Sequence, residues 1–200
     1  MGLSTVATRI ARHEANQLLS TPDLAPMAFT AGDLQGDQPL AALDPAQGML
    51  VEPAALRAAL EAGARLVYLE APVRLTGASY PAATLQAIAE LAVEYEAGLI
   101  IDQGLAPWSD APVAGAILAS TGMTRTALLG ELLPGLGLQS WQIGYLVADE
   151  AWLPAIQSLK QVMAICTSTA SQFAALEAME HSAGAWASLR QGLAQRLCQY

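Results

Sequence analysis

The 200-residue chain is 54% hydrophobic and only 14% charged, which is too apolar for a disordered polypeptide and enough for one domain with a buried core. A net charge of −9 and a pI near 4.5 exclude a nucleic-acid or anionic-membrane partner, because such surfaces repel an acidic protein. No apolar run is long enough to cross a bilayer, no secretory start is visible, and two cysteines, Cys166 and Cys198, fit a reducing compartment. A cytoplasmic protein is expected. Its low charge content predicts that part of its surface is covered by a partner subunit.

Apolar positions at Val6, Ile10, Leu18 and Leu19 predict a helix over 4–19, ended by Pro22 and Pro26. A short strand follows at Met27–Thr30, leading into the turn-rich stretch 31–37. Residues 51–62 predict a helix, with Leu56, Ala59 and Leu60 on one face and Pro53 in the first turn. Leu66–Leu69 reads as a buried strand, and Thr84–Glu96 as a helix with Leu85, Ile88, Leu91, Ala92 and Tyr95 spaced by three or four. Further buried strands are expected at Gly98–Ile101, Thr126–Leu129 and Ile143–Ala148. A long helical stretch is expected over 153–178, with a break near Thr167–Thr169, and a last amphipathic helix over 185–200. Strands separated by helices imply a three-layer α/β/α sandwich around a mostly parallel sheet.

Three segments carry a family resemblance. Leu69-Glu-Ala-Pro-Val-Arg-Leu-Thr-Gly77 resembles the Asn-Pro-x-Asn-Pro-Thr-Gly loop of fold-type I, pyridoxal-phosphate-dependent aminotransferases of class I/II. Leu99-Ile-Ile-Asp102 resembles the strand that delivers that family's aspartate to the cofactor ring. Gly137-Leu-Gln-Ser-Trp-Gln-Ile-Gly-Tyr145 is similar to the motif that follows the family's catalytic lysine. The resemblance implies a reduced and truncated aminotransferase large domain over 1–200, with an N-terminal arm at 1–37, a core at 51–180 and a C-terminal helix at 185–200. The family's glycine-rich phosphate loop and its small C-terminal domain find no counterpart.

Carried over position by position, the resemblance departs from the family at most of its cofactor contacts. Pro134 stands in the lysine position, and the single lysine of the chain, Lys160, falls where the family has a non-catalytic one. Gln142 takes the place of the phosphate-binding arginine, losing charge and bidentate fork. Glu131 and Leu133 replace small hydroxyl residues, Leu105 the ring-oxygen tyrosine, and Arg74 the asparagine. Asp102 alone is retained. As read from the residues, it either caps the Gln103-Gly104 turn or faces a ligand, and a salt bridge to Arg74 would fill the vacated crevice at the strand ends. The degenerate cofactor positions are therefore Asp102, Arg74 and Gln142, with no catalytic residue and no bound cofactor expected.

No metal site is expected, since His13 and His181 lie far apart with no carboxylate or cysteine at ligand spacing. Cys166, in an apolar stretch, is expected in the core. Four functional readings follow: a non-catalytic, dimerising pseudoenzyme; a module that binds a small molecule near Asp102 and Arg74; an enzyme of different chemistry; and a subunit that completes a site with a full-length aminotransferase. In either dimeric reading the partner is a second copy or an aminotransferase-like chain.

Overall fold

The computed structural model describes residues 18–19, 48–109, 113–132, 143–163, 166–181 and 183–197. Helix α1 (Pro53–Glu61) starts with proline in its first turn, where a missing N–H costs nothing, and gives way to Gly63 at φ 107°. It leads to β2 (Leu66–Glu70), α2 (Ala82–Glu94) and β3 (Gly98–Asp102). A 3₁₀ turn (Ala106–Trp108) and α3 (Val113–Thr121) precede β4 (Thr126–Glu131) and β5 (Gly144–Ala148). Helices α4 (Leu153–Met163), α5 (Thr169–His181) and α6 (Ala183–Leu197) close the described chain.

The sheet runs β1-β2-β3-β4-β5, where β1 is the short pair Leu18–Leu19. The first four strands are parallel and β5 returns antiparallel against β4. This is the α/β architecture with a mostly parallel open sheet that the sequence predicts. Two points differ from that reading. Leu18–Leu19 is a strand paired with Val67 and Tyr68, not the end of a helix, so arm residues cover that edge of β2. The rest of the expected N-terminal helix, and the strand at 27–30, lie outside the described residues. The helix α3 was not foreseen. The break near 167–169 is present, dividing α4 from α5.

Strand residues alternate between two faces. Val67, Leu69, Leu99, Ile101 and Leu128 point to one side, where they pack with Leu56 and Leu60 of α1, Leu85 and Ile88 of α2 and Ile117 of α3. Leu66, Tyr68, Ile100, Ala127 and Leu129 point to the other, joined by Leu146, Ala148 and Trp152. At the N-terminal ends of the parallel strands, Asp149 ties the return of β5. Its backbone N–H donates to the Thr126 carbonyl (2.8 Å), and its carboxylate accepts from the N–H of Arg125 (2.6 Å). No helix among the described residues is long and apolar enough to cross a membrane.

Candidate functional site

Parallel pairing sets Glu70 beside Asp102 and Asp102 beside Leu129. Glu131 follows Leu129 by two residues, so the period of a strand returns it to the same face. Three carboxylates from three neighbouring strands therefore gather at the C-terminal edge of the sheet, the crevice where α/β folds hold ligands. Glu70 and Asp102 are buried and Glu131 is partly open.

One guanidinium joins all three. Arg74, in the loop after β2, places Nη2 at 3.2 Å from both Asp102 oxygens and Nη1 at 3.2 Å from Glu131 Oε1. Its Nε is 3.6 Å from Glu70 Oε1, and its backbone N–H donates to Glu70 Oε2 at 2.9 Å. Burial works against the charged guanidinium, but Asp102 and then Glu131 outweigh it and hold the Arg74 pKa above its ordinary value. Asp102 is anchored from two more directions. The Tyr68 hydroxyl donates to Oδ2 at 2.9 Å and the Gly104 N–H to Oδ1 at 2.7 Å, the latter an Asx-type turn. Burial, reinforced by the Asp102 charge, pushes the Tyr68 hydroxyl far above its ordinary pKa, so it stays a donor. A side chain at 104 would run into the Arg74 guanidinium, so glycine here leaves room for the arginine beside Asp102.

The Arg74–Asp102 salt bridge expected from the sequence is thus formed, and the turn at Asp102 with it. Glu131, which stands where the family has a small hydroxyl residue, reaches Arg74. Tyr68 and Glu70 were missed as site residues: Tyr68 sits in a strand that reads as core, and Glu70 falls in the segment read as a loop but ends β2. Pro134 and Gln142 lie outside the described residues, as do Leu133, His13 and Cys198. Lys160 donates to the Thr167 hydroxyl at 3.0 Å on the surface between α4 and α5, and not to the strand-end carboxylates.

Two site expectations are corrected by the helical region. Cys166 is exposed, not core, because it falls in the break between α4 and α5. His181 does have carboxylates at ligand spacing: Glu177 and Glu180 lie one turn and one residue before it on α5, and the three exposed groups come within reach of one another. The nearest contact is His181 Nδ1 to Glu177 Oε1 at 3.2 Å.

The model for aminotransferase class I and II matches residues 35–198. This chain belongs to that family. A histidinol-phosphate aminotransferase from Xanthomonas campestris pv. campestris is 30% identical over 141 residues, covering 68% of this chain and 38% of that protein. The fold of an aromatic aminotransferase from Pyrococcus horikoshii OT3 superposes with a TM-score of 0.82 at 18% identity, over 96% of this chain and 53% of the other. A PLP-bound protein from Clostridium difficile 630 superposes equally well, TM-score 0.82, at 10% identity, over 97% of this chain and 53% of the other. The chain thus spans about half the length of these structural relatives and little more than a third of the curated one.

Membership corrects the expectation of a chain with no cofactor. The family is one of pyridoxal-phosphate enzymes, and a structural relative carries the cofactor. The described residues fit one part of that group. The space beside the buried Asp102 carboxylate, which a side chain at 104 would fill, admits a flat nitrogen cation, since the Arg74 guanidinium lies in it. A protonated pyridine ring presents the same chemistry to Asp102.

Proposed function

We propose that this chain is a non-catalytic aminotransferase-family protein that holds pyridoxal phosphate or a related small ligand noncovalently at the strand-end crevice. The observation that carries this reading is the separation of two roles. The buried carboxylate suited to the ring nitrogen is kept as Asp102, while the only lysine, Lys160, is bonded to Thr167 at the surface. Pyridoxal phosphate, when bound, supplies an electron sink for bonds at an amine-bearing carbon. Asp102 would hold the ring nitrogen in its charged form, with Tyr68 and the Gly104 N–H fixing the carboxylate. A lysine is needed to hold the cofactor covalently and to move the substrate proton, and nothing in the described cluster can take that part.

The reading includes a partner, a second copy or a full-length aminotransferase. Val162, Phe173, Leu176 and Met179 on α4 and α5 are exposed and apolar, as an interface would require. Light scattering of the purified chain, alone and with such an aminotransferase, tests this part.

The cofactor part is tested by titrating pyridoxal phosphate and following visible absorbance, then reducing with borohydride and analysing by mass spectrometry. The expected result is saturable binding with no adduct on Lys160. A stable adduct there, or measurable transamination, would overturn the non-catalytic reading. Absence of binding at millimolar concentration would overturn the binding reading.

A further inference from the structure

We infer that Arg74 is an internal latch on this crevice: its guanidinium occupies the face of Asp102 that a ligand's ring nitrogen must reach, so the ligand binds only when Arg74 swings away. The inference rests on the binding reading above and adds a regulatory contact to it. Three features argue that Arg74 closes the site and can also leave it.

The first is the fork. One nitrogen, Nη2, meets both oxygens of Asp102, so no external cation can approach that edge while the arginine is in place. The second is the asymmetry of anchorage. Asp102 is buried and held by Tyr68 and Gly104 from the frame, whereas a third of the Arg74 side chain is open to solvent, on a loop. The movable partner is the arginine. The third is that Arg74 has somewhere to go. Glu131, 44% exposed, lies at 3.2 Å from its other terminal nitrogen, so the guanidinium can release Asp102 and stay paired at the rim. Three carboxylates against one guanidinium leave the edge negative, so a cationic ring is still attracted once the latch moves.

A latch reduces apparent affinity by the fraction of molecules in which it is open. If Arg74 is closed in roughly nine molecules of ten, removing it tightens binding about tenfold. Two variants open it. Arg74→Gln removes the charge and shortens the side chain. Arg74→Met removes the charge and keeps the apolar stem.

The experiment is a pyridoxal phosphate titration of the wild-type chain, Arg74→Gln, Arg74→Met and Asp102→Asn. Both latch variants should bind about tenfold more tightly than wild type, and Asp102→Asn more weakly. Wild-type binding with equal or weaker binding in both latch variants would overturn the latch and leave the binding reading standing. If no protein binds, the binding reading falls, and the latch is judged from the Arg74 Nε–H signal in ¹⁵N NMR. A distinct signal that collapses towards the free-arginine position in Asp102→Asn supports the contact, and a signal unchanged by that substitution overturns it.

Discussion

Replacing Asp102 by alanine tests how firmly the crevice is built. The carboxylate accepts from the buried Tyr68 hydroxyl, the Gly104 N–H and the Arg74 guanidinium. A buried donor deprived of its acceptor costs about 1–3 kcal/mol. The site opens to solvent beside Arg74, so water can reach the vacated space and the two neutral donors should cost near the lower end of that range. The arginine keeps Glu131 and Glu70, and its solvent exposure discounts its share to less than about 1 kcal/mol. Together these predict a loss of about 3 kcal/mol, or a melting temperature lower by about 6–12 °C for a chain of this length. Asp102→Asn keeps an acceptor for Gly104 and should cost only about 1 kcal/mol. Urea unfolding followed by circular dichroism reads both. A double-mutant cycle with Tyr68→Phe should show coupling of about 1 kcal/mol. A loss below 1 kcal/mol for Asp102→Ala, or equal losses for alanine and asparagine, would refute the view that Asp102 is held by directed hydrogen bonds.

Other outcomes follow from the same contacts. Ile88 is fully buried between α2 and the sheet, so Ile88→Ala should cost about 2–5 kcal/mol, while Val93→Ala at an exposed site should change stability by less than about 0.5 kcal/mol in urea unfolding. Tyr80 is pushed up to about 12 by burial, against the Val51 N–H that donates to its oxygen. A raised folded value means its contribution is full below its ordinary value of 10.0 and is lost as pH rises through 10 to 12. Ultraviolet titration should show Tyr80 ionising late, and Tyr80→Phe should remove that part of the alkaline loss. Asp149 is held below its ordinary 3.8 by the backbone N–H groups of Arg125 and Ala151. Its stabilisation is present above pH 4 or so and lost as pH falls through the lowered folded value. Asp149→Asn should flatten the acid limb of a stability–pH profile measured by urea unfolding, and an unchanged limb would show that these two hydrogen bonds do not favour the ionised form.

Much of the frame is determined locally and was legible in the residues. The apolar runs at 66–69, 98–101 and 126–129 are strands because they are short, β-rich and bounded by turns. The three-and-four spacing of Leu85, Ile88, Leu91 and Ala92 makes α2 a helix with one buried face. The pairing of Arg74 with Asp102 was legible because Arg74 follows one strand and Asp102 ends its neighbour. Leu18–Leu19 was not: its apolar spacing suits a helix, and only the open edge of β2 makes it a strand. Nor was α3, whose Val-Ala-Gly-Ala-Ile-Leu stretch is apolar on every side and shows no period. The triad Glu177, Glu180 and His181 did carry a signal, the i, i+3, i+4 spacing of a helix face. What only the tertiary structure decided is the convergence of Glu70, Asp102 and Glu131 on one guanidinium, with Tyr68 behind them. Arg74 reaches Asp102 across 28 positions and Glu131 across 57. Which side chains share an edge depends on how parallel strands joined by long helical crossovers come to lie side by side, and that is set by packing between segments far apart in the chain.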